Sequence, residues 1–531
     1  MMIARRTILV LAVAFLGTLV ESTYHSRPLV PSNVKVFPTA RAEDQAFWYA
    51  EAQNEIAQSL ARTENNNVAK NVILFLGDGM SVATITAGRI YKGQQLGQSG
   101  EEYKLVWEDF PDLAMIKTYD VDRQVPDSAS TATAYLCGVK SNYYTTGVDS
   151  SVKLEDCMSV TEESKLSSIA VWALEAGKRT GFVTSTRVSH ATPSALYAHS
   201  ASREWECDAS LPLGTALRCP DTKDIARQLI EDYPGSDFNV IMGGGYSCLS
   251  GDAVETPGDP INLEYGCVRA DGRNLFDQWT INQEAKGRRH AAVRTFTDLK
   301  AVNASDVDYI LGVFANDHVA YEHLKRELNL DMPTLADMTE AAISVLQASD
   351  AGYFLLVEGG RIDLAHHDNL ANTALDETAA FDDAIRRALS LVNTEETLVI
   401  VTSDHSHVAT INGYPHRGQD ITGFSGIMDD GLPLPTITYT NGPGWIGSYV
   451  VDENGNAARR NLTDDDVTSY DYVHSAGALR YSETHGGDDV ALFAVGPMSH
   501  LFQRTHEQSF IAHAMAYAAC IGPNLDHCAQ P

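Results

Sequence analysis

Asp363 and His367 stand four residues apart, so on a helical turn both side chains project from one face and can hold one ion. Comparable residues border other short apolar runs. Asp78 lies between Gly77 and Gly79 just after Val72 to Leu76, and Glu358 follows Tyr353 to Val357. Asp404, His405 and His407 follow Leu398 to Val401, while His485 and Asp488 precede Ala491 to Val495. Imidazole and carboxylate are the ligands expected for zinc, and carboxylates with a hydroxyl suit magnesium. His485 could join Asp363 and His367 as a third ligand, leaving a position open for water or substrate. Taken singly, each of these residues reads as a cap or a satisfied core group. Their convergence is what carries the metal reading.

A nucleophile candidate lies in Val125-Pro126-Asp127-Ser128-Ala129-Ser130-Thr131-Ala132-Thr133-Ala134. Ser128 would occupy the N-terminus of a small-residue helix, where free amides and the positive dipole end suit a phosphate. A nearby metal can lower the pKa of its hydroxyl so that it attacks as an alkoxide. The same segment reads equally well as a plain N-cap by Asp127 or Ser128.

The runs that must position these groups repeat one theme, in which a short apolar or β-branched stretch ends in a Gly- or Asp-bearing loop and an amphipathic stretch follows. Besides the four above they include Gly181 to Thr184, Asn239 to Met242 and Tyr309 to Phe314. Such alternation predicts an α/β fold, a mostly parallel sheet covered by helices on both faces. Sites in such sheets lie at the carboxyl ends of strands. Residues 411–481, rich in Gly, Pro, Asp and Thr, break the theme and read as an inserted, loop-rich subdomain. Both ends of the insertion must return to one place if Asp404, His405 and His485 share a site. Catalytic core is assigned to 68–410 and 482–528. Ahead of it, Glu43 to Leu60 reads as a helix with Trp48, Ala52, Ile56 and Leu60 at four-residue spacing, a stripe that packs on its own core or on a partner.

The formal charge of −31, from 39 basic and 70 acidic residues, excludes a basic nucleic-acid-binding protein. Arg5, Arg6 and the apolar run from Ile8 to Val20 read as a signal peptide, assigned to residues 1–22 and implying export. Export permits disulfides, and sequence proximity suggests Cys157–Cys219, Cys248–Cys267 and Cys520–Cys528, with Cys137 and Cys207 left over. Sequons at Asn303 and Asn461 fit the same compartment. Phe510 to Ile521, interrupted by His513, reads as a core helix, and no lipid-anchor signal is expected.

From about Phe47 to Cys528 the chain closely resembles the animal alkaline phosphatases, on VILFLGDGM, VPDSASTATAYLCGVK, FVTSTRVSHATPSALYAH, VEGGRID with HH, VTSDHSHV and ETHGGDDVALFAVGP. The resemblance implies a three-layer α/β sandwich with a small crown subdomain at 411–481, and hydrolysis of phosphate monoesters through phosphorylated Ser128. Two zinc ions and one magnesium per chain are implied. Asp363, His367 and His485 would hold one zinc, Asp404 and His405 the second, and Asp78 would bridge to a magnesium completed by Glu358 and Thr192. Arg203 would clamp two phosphate oxygens, as its fork geometry suits. His190 would sit in the outer shell of the magnesium, with His366 and His407 as bystanders or outer groups. A soluble, secreted homodimer is implied, the segment 43–60 reaching the partner.

Two departures accompany the resemblance. Many relatives carry a histidine directly after the aspartate of VEGGRID, where this chain has Leu364 and Ala365, so a polar contact near the phosphate that bears on rate and pH optimum is missing. Relatives also often hold a structural calcium; Phe314 and Asp331 match that region, but Ala315 replaces a usual glutamate, and Glu264 is a further candidate ligand. Two rival readings are a phosphodiesterase or sulfatase of the same superfamily, which would use threonine or a modified cysteine as nucleophile, and a secreted binding protein, which would lack ligands or the serine. None of those losses is present.

Overall fold

The computed structural model describes residues 35–38, 43–262, 266–451 and 453–529. The expected signal peptide and Glu264 lie outside the described residues. A ten-stranded sheet forms the centre. Its strands in chain order are β1 Asn71–Gly77, β2 Asp112–Lys117, β3 Arg179–Arg187, β4 Val240–Gly244, β5 His290–Val293, β6 Tyr309–Val313, β7 Tyr353–Gly359, β8 Thr397–Thr402, β9 Val490–Val495 and β10 Arg504–Glu507. Across the sheet they run β10-β2-β9-β8-β1-β7-β3-β4-β6-β5. Only β9 is antiparallel to its neighbours.

Strand β1 shows why the sheet is buried on both faces. All seven of its residues are buried. With side chains alternating at period two, Val72, Leu74 and Leu76 join one core with Phe182, Leu356 and the helix Phe510–Ala519. Ile73 and Phe75 join the other with Trp107, Phe381 and the helices Leu335–Leu346 and Ala371–Leu391. Each fully buried aliphatic or phenyl side chain contributes roughly 1.5–3 kcal/mol. Three strands escape the apolar-run signal, and all lie toward the edges: β2 exposes alternate residues, β5 is half-buried and β10 is Arg-Thr-His-Glu.

Register brings the polar strand ends together. Leu76 of β1 pairs with Glu358 of β7 on one side and with Thr402 of β8 on the other, and Thr184 of β3 pairs with Glu358. Asp78 and Asp404, each two residues beyond that line, therefore emerge side by side. The segment 411–481 carries strands of three small sheets, outside the central one. On its return, His485–Gly486 pairs antiparallel with Ser406–His407. The helix Gln45–Ala61 is capped by Asp44 and buries none of its residues. Trp48, Ile56 and Leu60 on it are 55%, 59% and 81% exposed.

Disulfides join Cys157 to Cys219 and Cys520 to Cys528. The expected Cys248–Cys267 pair is not made: Cys267 is bonded to Cys207, with Cα atoms 6.0 Å apart, and Cys248 is a buried free thiol, as is Cys137. Proximity in sequence misled here. Cys248 sits on the short helix Tyr246–Leu249, its Sγ turned to the Cys267 carbonyl at 3.5 Å rather than to the sulfur.

Candidate active site

Four side chains from three segments meet beyond β7, β8 and β9. Asp363 and His367 come from the helix Arg361–His367, His407 from the loop after β8 and His485 from the strand that returns to it. The Nε2 atoms of His367 and His485 face each other at 3.1 Å, and each lies 3.4 Å from an oxygen of Asp363. Their Nδ1 atoms donate to main-chain carbonyls, His367 to Glu483 at 2.6 Å and His485 to Pro126 at 2.8 Å. Carbonyls only accept, so both Nδ1 atoms carry the proton and the two Nε2 atoms are left facing one another. That arrangement suits a bound cation. Burial pushes His367 down to about 4, against the attraction of Asp363, which keeps its imidazole neutral as a metal requires.

A second group comprises Asp78, Asp404 and His405, all fully buried. His405 Nε2 lies 3.1 Å from Asp404 and 3.4 Å from Asp78. Asp404 is partly satisfied by the amides of Gly79 and His405, but neither oxygen of Asp78 has a hydrogen-bond partner. Burial, then the charges of Asp404, Asp363 and Glu358, raises the Asp78 carboxyl well above its ordinary value. A third group joins Asp78 to His190 and Glu358. Glu358 Oε2 accepts from Thr184 and Thr186, whereas its Oε1 and the Thr192 hydroxyl are buried without a partner. Orphaned buried oxygens on three neighbouring residues fit a hard cation such as magnesium. Both halves of the expected metal set therefore have donor atoms suited to the ions.

Ser128 opens the helix Ser128–Cys137, and the cap is Asp127, whose Oδ2 accepts from the Ala129 amide at 2.8 Å. Ser128 is thereby spared capping duty. Its Oγ lies 3.1 Å from His405 Nε2, against the second group. Arg203 reaches the same place, donating to Asp127 at 2.6 Å and to His190 Nε2 at 2.9 Å.

Other expected residues fall elsewhere. His366 bonds to Thr84 and to Tyr439, tying the helix Val82–Gln95 to the segment Ile437–Gly442, and Asp488 accepts from Ser406. His407, expected as a bystander or an outer group, lies behind Asp363, its Nε2 2.6 Å from Oδ1. Glu483, which no sequence signal singled out, binds its other nitrogen. In the calcium region the Asp331 carboxylate accepts from Thr297, and among the described residues no three candidate ligands gather there.

A mostly parallel α/β sheet with a serine at a helix N-terminus, a nearby arginine and clustered imidazoles and carboxylates at its strand ends defines a metal-assisted hydrolytic enzyme. The family model for alkaline phosphatase matches residues 69–521. The chain is 45% identical over 495 residues to an alkaline phosphatase of Gadus morhua, covering 92% of this chain and 99% of that one. It is 44% identical over 503 residues to the tissue-nonspecific alkaline phosphatase isozyme of Rattus norvegicus, covering 93% and 92%. Its fold is similar to the crystal structure of Thermus thermophilus alkaline phosphatase, with a TM-score of 0.58 at 22% identity, covering 86% of this chain and 92% of that one. The chain belongs to the alkaline phosphatase family, whose members are metal-dependent, and it is a phosphatase acting on phosphate monoesters.

Proposed function

We propose that this chain hydrolyses phosphate monoesters through a phosphorylated Ser128, at a site of two zinc ions and one magnesium. Asp363, His367 and His485 would hold the first zinc, Asp78, Asp404 and His405 the second, and Asp78, Thr192 and Glu358 the magnesium. Bound there, the ions supply Lewis-acid stabilisation of developing charge and lower the pKa of hydroxyl and water. The Ser128 oxygen attacks phosphorus in line, the ester oxygen leaves with its alcohol, and water then releases phosphate from the serine. Arg203, pre-aimed by Asp127 and His190, binds two of the non-reacting phosphate oxygens. The positive end of the Ser128–Cys137 helix favours the same anion.

The observation that carries this reading is the Ser128 hydroxyl, free of capping and 3.1 Å from His405. Exposure to labelled inorganic phosphate and quenching at low pH should trap label on Ser128. Ser128→Ala should remove it, lower kcat by at least on the order of 10³, and leave fold and metal content unchanged. Label on any other residue overturns the assignment.

We further infer a secreted, glycosylated homodimer. The uncovered apolar stripe of the helix Gln45–Ala61 supports a partner subunit, and exposed Asn303 and Asn461 support glycosylation. Sedimentation that finds only monomer, or activity confined to membranes of expressing animal cells, would overturn these parts. Among the described residues no helix is long and apolar enough to cross a membrane.

A further inference from the structure

We propose that Glu483 is a positioning residue for the first zinc group, acting through His407 on Asp363 and through its own main chain on His367. The inference rests on the metal assignment proposed above. The Glu483 side chain is completely buried. Among the described residues its carboxylate forms ion pairs only with His407 and, at 4.0 Å, His367. A buried carboxylate without lysine or arginine is costly unless it is fully hydrogen-bonded. Glu483 meets that condition: Oε2 accepts from His407 Nδ1 at 2.5 Å and Oε1 from the Val408 amide at 2.8 Å.

The opposite nitrogen of His407 donates to Asp363 Oδ1 at 2.6 Å, so the imidazole links two carboxylates. Held in that plane, Asp363 keeps its two oxygens 3.4 Å from the facing His367 and His485 nitrogens. Meanwhile the Glu483 carbonyl fixes the His367 tautomer, and the Glu483 amide donates to the His367 carbonyl at 2.8 Å. Space for the His407 ring comes from Gly79, where a Cβ would fall 2.3 Å from the imidazole, at a φ of +66°. One residue thus ties the returning segment that bears His485 to the helix that bears Asp363 and His367.

The test measures zinc affinity of the full chain by chelator competition with zinc alone as probe, counting zinc per chain. Glu483→Ala and His407→Ala should each raise the zinc dissociation constant of one site about 10–100-fold, leaving the other metal sites filled. Because Glu483 acts through His407, the double variant should bind no more weakly than about threefold below the weaker single one. Glu483→Gln keeps the reach without the charge and should stay within about threefold of the wild type. Glu483→Asp keeps the charge without the reach and should lose at least about tenfold, which also serves if the alanine variant does not fold. Losses that add fully, or Glu483→Asp binding like the wild type, overturn the positioning role. A wild-type chain that fills no zinc site at Asp363, His367 and His485 overturns the metal assignment itself.

Discussion

Two buried clusters of charge lie near the phosphate clamp, and they are built oppositely. Around Arg187 the protein supplies a cation between two carboxylates. Its guanidinium is bidentate on Glu206 at 2.6–3.1 Å and reaches Asp317 at 2.6 Å and His318 at 2.7 Å, while Ser189 donates to Glu206. Burial alone would raise the Glu206 carboxyl, but Arg187 outweighs it and holds the group below its ordinary value. Around Asp78 the protein supplies no lysine or arginine. Asp78, Glu358 and Asp404 are all raised, burial first, because they repel one another and no lysine or arginine forms an ion pair with any of them among the described residues. Burial of charge by itself therefore does not mark a site; the distinction lies in whether the protein supplies the counter-charge. Arg187 holds the loop that carries Arg203 through Glu206, three residues on, and is architecture. The Asp78 group lacks that counter-charge, which the ions proposed for it would supply.

That contrast can be broken most sharply at the proposed metal site, in the group of Asp363, His367 and His485 whose charge acts on Asp78. His367→Ala or His485→Ala should lower zinc affinity by on the order of a hundredfold or more and reduce activity in parallel, since three protein ligands tolerate the loss of one poorly. Full zinc occupancy with normal turnover in either variant would show that the ligands are misassigned. The Arg187 cluster predicts the reverse pattern. Arg187→Met strands Glu206 and Asp317 in the interior and should cost about 3–5 kcal/mol of stability in denaturant unfolding, with zinc per chain unchanged. Loss of zinc without loss of stability would erase the distinction between the two clusters.

The smallest expected effect concerns pH. Burial and the Asp404 charge, against the hydroxyl of Thr184, push the Glu358 carboxyl from 4.5 to about 7. In chelated protein the folded state thus favours the protonated form. This group's contribution to stability is complete below about 4.5 and is lost as pH rises to about 7. Replacing it by the neutral Glu358→Gln amide should remove that loss, so the variant gains stability on the chelated wild type as pH rises between those limits. Parallel stability curves for the two proteins across this range would count against the reading.

Sequence alone determined the architecture wherever burial is two-sided. Val72 to Leu76, Tyr353 to Val357 and Leu398 to Val401 are apolar throughout because β1, β7 and β8 have helices on both faces, and no surface position interrupts them. The chemistry-bearing types directly beyond those runs were equally visible, since carboxylates and imidazoles have no business at the end of a hydrophobic strand unless they meet something. The edge strands β2, β5 and β10 were not, because one-sided burial and charged side chains remove the signal. Tertiary structure decided everything that depends on distance between remote segments. It paired Cys267 with Cys207 in place of Cys248, set His407 against Asp363, and introduced Glu483 behind it. Spacing along the chain specifies which side chains share a helix face or a strand end. Which residues tens of positions apart come into contact is set by strand register and by the path of the returning segment, and no local pattern encodes either.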